Sequence, residues 1–271
     1  LFRKLAQQIQ SRAQAEEIES SSRFSELGNA IFANTNYISP EGDELSEDPV
    51  SFTVVDGTLA TLRDIPLRSF ISLQRKMMAR PQLFENGYSV LVSILDQRVD
   101  LDADIIELMG KDTAQFSKRV NQQEDINEDF LLDINQLQEN TMVVRESVVD
   151  KQRLISNLLK SSNCPGELYP KLNVLLQDIA SLINHTNFTF ERLEFLQDTV
   201  VGLINLDQNR IMKIFTVISV LMMPATLVTS FYGMNVVLPF DQRGWAWIAI
   251  VALMALIVAA IWLVFKRKRL L

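Results

Sequence analysis

"SFYGMNVVLPF", residues 230–240, closes one long apolar run and stands just before a second. The first run, 211–231, carries one charged residue, Lys213, and the second, 245–265, carries none. Each is long enough to cross a hydrocarbon layer of about 30 Å as a helix. Two buried helices of a soluble core would keep a polar stripe, and the second run has none. Trp245, Trp247 and Trp262 stand near its ends, where a membrane interface favours amphipathic rings. The tetrad Tyr232-Gly233-Met234-Asn235 therefore joins two membrane-length segments, either as a plain turn or as the mouth of a pore.

Charge sets the orientation. Arg210 and Lys213 flank the start of the first span, Lys266 to Arg269 follow the second, and the connector has only Arg243. Basic residues stay on the cytoplasmic side, so both ends are expected inside and the connector outside. The sequons at Asn184 and Asn187 then never meet a glycosylating compartment. Residues 211–271 hold six basic and one acidic residue, a net of +5, which leaves −12 of the total −7 for the first 210. An acidic body argues against nucleic acid as a partner. Cys164 and His185 are the only residues of their kinds, which excludes a disulfide framework and a His- or Cys-based metal cluster within one chain. No phosphate loop, nucleophile elbow or paired-His motif points to an enzyme. The chain opens at Leu1 without Met, so a truncated start is expected, with no signal peptide in view.

The polar stretch 1–48 shows no clear strand, and "PEGDELSEDP" reads as a loop. "VSFTVVDGTLATLRD" reads as a hairpin turning at Asp56-Gly57. "IPLRSFISLQRKMMARP" reads as a short helix ending near Pro81. From Asn86 to Leu159 apolar residues recur at helical spacing, and "SSNCPGE" at 161–167 is the first firm break, which predicts a long helical hairpin with its tip near Cys164 to Gly166. Six acidic residues between Asn121 and Glu139 either hold cations loosely or form a solvated turn and helix face. From Leu168 no convincing breaker follows until the tetrad, so one helix of about 60 residues is expected to run into the first span, with Pro224 tolerated inside it. The domain reading is 1–85 an N-terminal α/β domain, 86–167 the hairpin, 168–210 a stalk helix, 211–235 the first span and mouth, 236–244 the outer loop, 245–265 the second span and 266–271 a basic tail.

Read in alternating steps of four and three, the long helix presents Asp198, Gly202, Asn205, Asn209, Met212, Thr216, Ser219, Met223, Thr226 and Ser230. Every member is polar, small or Met, while most neighbours are Ile, Val, Leu or Phe. A 3.5-residue spacing holds one face toward a common axis. A polar face inside a membrane meets protein or water, not lipid. Several copies around an axis make it a pore lining. The alternative is close helix packing, which small and hydroxyl residues also serve, but a stripe of ten positions is longer than packing motifs need. Two Met residues among the hydroxyls, Met212 and Met223, make apolar constrictions, which can gate by dewetting.

Tyr232-Gly233-Met234-Asn235 after "NRIMKIFTVISVLMMP", followed by a second span and a Lys/Arg-rich tail, resembles the CorA family of divalent cation channels. The resemblance is strongest from Leu168 to the end, weaker over Tyr88–Val120 and slight before that. It implies an α-helical membrane protein with an α/β cytoplasmic domain, a stalk helix continuing into the first of two C-terminal spans, and a homopentameric funnel in the cell's inner membrane. The partners it implies are further copies of the chain, membrane lipid and divalent cations. It implies a mouth at Gly233, Met234 and Asn235, where Asn235 holds a hydrated cation, as suits Mg2+. Family pore positions fall on Asn209, Met223, Thr226 and Asn235, with Asp198 an acidic ring lower down and Phe215 the inner apolar constriction. No cofactor is implied; the metal is cargo. After the triad the loop has only Asp241, where the family carries acidic residues, and Val174 and Gln177 stand where its intersubunit regulatory acids are expected. Two other functions remain open: a zinc or other transition-metal transporter of the same fold, which the scarcity of soft ligands disfavours, and a membrane-anchored scaffold without transport.

Overall fold

The computed structural model describes residues 23–42, 44–124, 126–234 and 244–267. The chain divides into two compact units, Leu1–Val201 and Gly202–Leu271.

The first unit opens with an antiparallel sheet of four strands in chain order, β1 (Phe24–Leu27), β2 (Ala30–Glu41), β3 (Glu44–Val55) and β4 (Thr58–Arg63). Asp56 and Gly57 have φ of 47° and 75° between the paired residues Val55 and Thr58. Both lie in the left-handed region, as a two-residue type I′ turn requires. Two expectations fail here. The stretch before residue 48 holds β1 and β2, and "PEGDELSEDP" is the far end of the β2–β3 hairpin, paired as far as Glu41↔Glu44. Pro40, Gly42, Glu47 and Pro49 are exposed, so their composition reports contact with water and not the absence of a ladder. Ile31, Ala33, Thr35 and Tyr37 form the buried face of β2, but an Ala and a Thr among four positions weaken the two-residue period that marks a strand.

Helix α1 (Arg68–Ala79) stops just before Pro81, and a single 3-10 turn, Pro81–Leu83, follows. Helix α2 (Gly87–Gln122) starts with a capping box: Ser89 N–H donates to Asn86 Oδ1 at 2.9 Å, and Asn86 N–H to Ser89 Oγ at 3.4 Å. Gly87 N–H donates to Gly57 O at 2.6 Å, and a Cβ at residue 87 would stand 2.5 Å from Leu59 N. Only glycine lets the helix start that close to the β3–β4 turn.

Helix α3 (Glu128–Lys160) runs back along α2. Phe116 and Phe130 meet edge to face at 5.3 Å, and Asp102 on α2 pairs with Lys151 on α3. The reversal lies between the end of α2 at Gln122 and the start of α3 at Glu128, and not near Cys164 to Gly166 as expected. No Gly or Pro marks it. Gln123 takes the left-handed conformation, φ 52°, and Asn127 Oδ1 caps the next helix by accepting Phe130 N–H at 2.9 Å. The Cys164 region instead connects α3 to α4 (Tyr169–Tyr232), through a short 3-10 turn at Gly166–Leu168. Helix α4 is one unbroken helix of 64 residues, as expected, with Pro224 inside it. In the first unit it runs beside α2 in the same direction. Lys171 Nζ lies 3.0 Å from Asp96, and the His185 ring lies 3.6 Å from where a Cβ of Gly110 would stand.

The core between sheet and helices is charged at one point. Asp102 accepts from Arg98 and pairs with Lys151 at 3.0 Å. Lys151 Nζ also donates to Ser147 Oγ at 2.5 Å and to the Asn36 carbonyl of β2 at 3.3 Å. Both cations lie near the Tyr37 ring, 5.1 and 5.6 Å from its centroid. Burial draws the Lys151 pKa below the usual lysine value, against the opposing pull of Asp102, and pushes the Tyr37 phenol far above its usual range.

The second unit contains the rest of α4 and α5 (Ala246–Arg267), both long and apolar enough to cross a membrane. Asn235, the outer loop as far as Arg243 and the tail residues Lys268 and Arg269 lie outside the described residues, as do residues 1–22 of the expected α/β domain.

Candidate functional site: one face of the long helix

An unbroken α4 carries every member of the stripe on a single helix. Asp198 belongs to the first unit, and Gly202, Asn205, Asn209, Met212, Thr216, Ser219, Met223, Thr226 and Ser230 to the second. All ten are exposed on the single chain. Met223 is 66% exposed and Phe215, beside the stripe, 62%. Burial on α4 in the second unit follows a different line. Val217 is buried, and Leu221, Pro224, Ala225 and Val228 are half-buried. At 3.6 residues per turn that line lies about 140° around the helix from the stripe. Half-buried residues on α5 recur at the same helical spacing, at Ile250, Met254, Ile257, Ile261 and Phe265. Each span thus has one partly covered face, and the stripe is on neither. The sequence did not reveal the covered face, because its residues are as apolar as those that meet lipid.

Two hydroxyls of the stripe, those of Thr216 and Thr226, are satisfied within their own helix. Thr216 Oγ1 donates to Met212 O at 2.8 Å and Thr226 Oγ1 to Met222 O at 3.0 Å. A hydroxyl bonded back to its own turn needs no partner helix for its proton. Its oxygen keeps acceptor capacity that a hydrated cation can use.

The tetrad begins as a helix end. Tyr232 is the last residue of α4, Gly233 N–H donates to Thr229 O at 2.9 Å, and Met234 N–H to Phe231 O at 3.4 Å. A Cβ on Gly233 would stand 3.2 Å from Thr229 O, so glycine keeps this last turn tight. Met234 is exposed. Val174 and Gln177 are exposed on α4 of the first unit, as is Asp178.

Residues 3–267 match the family described as CorA-like Mg2+ transporter protein. Among curated relatives, the magnesium transport protein CorA of Wolinella succinogenes is 34% identical over 267 residues, covering 96% of this chain and 83% of that protein. The magnesium transport protein CorA of Escherichia coli strain K12 is 31% identical over 268 residues, covering 97% and 85%. Among solved structures, the complete CorA magnesium transporter of Methanocaldococcus jannaschii superposes with a TM-score of 0.79 at 18% identity, over 98% of this chain and 86% of that one. The ZntB cytoplasmic domain of Vibrio parahaemolyticus superposes at 0.57 and 18% identity, over 76% and 84%.

Proposed function

This chain belongs to the CorA-like Mg2+ transporter family, and we propose that five copies of it surround a central pore that passes hydrated divalent cations, Mg2+ above all, across the cell's inner membrane. Membership makes the protein an ion transporter and not an enzyme. The observation that carries the pore reading is the exposed stripe on α4: ten positions at 3.5-residue spacing, left uncovered by the rest of the chain. One copy cannot shield that face from lipid, whereas a ring of copies turns it toward water.

On this reading the ion enters at Gly233, Met234 and Asn235. Mg2+ dehydrates reluctantly, so the Asn235 carbonyl accepts hydrogen bonds from the ion's water shell and does not bind the metal directly. A neutral ring of carbonyls orients those waters without trapping the ion. Ser230, Thr226, Ser219 and Thr216 offer hydroxyl oxygens along the path. Met223, among them, narrows the path with an apolar ring that holds back water when closed, and Phe215 forms the next constriction inward. Asn209, Asn205 and Asp198 lead the ion on, and Asp198 is the one acidic ring on the route. Lys266 to Arg269 hold both chain ends on the cytoplasmic side.

Liposomes containing the purified protein, loaded with a fluorescent ion reporter, test this with Mg2+ and Zn2+ side by side. The proposal expects Mg2+ entry well above empty liposomes. Zn2+ entry alone would assign the fold to transition-metal transport, and entry of neither ion would leave a scaffold.

A further inference from the structure

Helices α2 and α4 part around a glycine in the first unit. Gly110 of α2 stands level with His185 of α4, whose ring Cε1 lies 3.6 Å from where a Cβ of residue 110 would be. An open groove of about 270 Å3 lies between the two helices there. Its walls include Glu107 and Lys111 on α2 and His185, Phe188 and Arg192 on α4. The proposed ion path makes no use of it.

The groove is cationic on a body of net −12. Glu107 is the one acid lining it, and Lys111 one turn on takes that carboxylate at 2.7 Å. Arg192 is half-buried and has no ion pair among the described residues. The positions three and four away on α4 are Phe188, Thr189, Phe195 and Leu196, so its own helix offers it no acid. Glu107 sits three residues before the level of Gly110 and His185, and Arg192 seven after it. That separates them by roughly 15 Å along the helices, too far for a direct pair. A guanidinium half out of water without an anion costs free energy that a bound anion recovers.

Phe188 lies between Lys111 and Arg192 in level and is 61% exposed. Helical side chains lean toward the N-terminus, which brings the Arg192 head back over the turn of Phe188. An exposed ring on the wall of a cationic groove takes a planar ring by stacking. The Arg fork takes a phosphate through two parallel hydrogen bonds, and the His185 imidazole adds an N–H donor. Two cations spaced along the groove suit a chain of phosphates better than a single carboxylate. We propose that this groove binds a nucleoside phosphate, the base against Phe188 and the phosphates on Arg192 and Lys111. The site lies within one chain and does not depend on the ring.

The test is binding of the fluorescent analogue mant-ADP to the full chain in detergent, in metal-free buffer so that no ion bridges probe and protein. Saturable binding, competed by ADP, is expected. Arg192→Ala should weaken it about tenfold or more, the scale of a lost hydrogen bond to a charged group. Phe188→Ala should weaken ADP binding about three- to tenfold and leave competition by inorganic phosphate unchanged. Gly110→Leu should fill the groove and abolish binding, with mass photometry of the same sample showing that the variant assembles as the parent does. Arg153→Ala, an exposed cation on α3, should change nothing. No saturable binding, or binding indifferent to Arg192→Ala and Gly110→Leu, would overturn the site. Inorganic phosphate competing as well as ADP, with Phe188→Ala without effect, would overturn the nucleotide as its ligand.

Discussion

The Lys151 ammonium lies 3.0 Å from the Asp102 carboxylate, and neither side chain has any exposure. Arg98 donates to the same carboxylate from the preceding turn of α2, so two cations share one anion in the core. The Asn36 carbonyl and Ser147 supply the remaining acceptors around Lys151 Nζ. The cluster thus ties β2, α2 and α3 together at one point.

Asp102→Asn should destabilise the cytoplasmic unit by about 3–5 kcal/mol, because it strands two buried cations without their anion. Thermal denaturation of the purified protein checks this. Replacing Arg98, Asp102 and Lys151 together by apolar residues of similar volume should cost far less, since no charge is then left buried alone.

Asn235→Ala should abolish Mg2+ flux and leave assembly intact. In sequence the residue follows Gly233 and Met234, which close the last turn of α4, and the proposed pore assigns its side chain to the ion. Flux in liposomes, paired with mass photometry of the same sample, checks both halves. Normal flux in a well-assembled variant would remove Asn235 from the mouth.

The two apolar helices and the length of α4 were legible in the sequence, because an apolar run with almost no charge and a helix with no breaker hold whatever packs nearby. The Asp56-Gly57 turn was legible for a local reason, the left-handed backbone that it needs. The β2–β3 hairpin was not, because its far end is exposed and polar while its backbone still pairs. The reversal at Gln123 was hidden as well, since a left-handed Gln and an Asn cap replaced the Gly or Pro that signals a break. The Asp102 cluster was invisible for another reason: its partners on β2 and α3 are far apart in sequence and meet only in the fold.

Met223→Ser should raise basal leak by wetting the apolar ring. The side chain is exposed on the stripe, between Ser219 and Thr226, so the substitution does not disturb the covered face at Val217. Flux without a driving gradient of Mg2+, read with a monovalent reporter ion, checks it. Unchanged leak would move the gate to Phe215.

The closed state should depend little on cytosolic Mg2+. Val174 and Gln177 stand exposed where regulatory acids are expected, and an ion shifts an equilibrium only by its difference in affinity for the two states. Protease digestion of the cytoplasmic unit should run at the same rate with and without millimolar Mg2+. Strong, saturable protection, lost on neutralising an acidic pair at a subunit boundary, would show that an ion sensor survives.

The central claim is that the stripe on α4 faces a water-filled path. Single cysteines from Met212 to Ser230, on the Cys164→Ser background, place it under direct test: a charged thiol reagent is added to liposomes and Mg2+ flux is followed. The account predicts block at residues 216, 219, 223, 226 and 230 and none at 217, 221 and 228. Block without that period, or block that follows Val217, Leu221 and Val228, would contradict it.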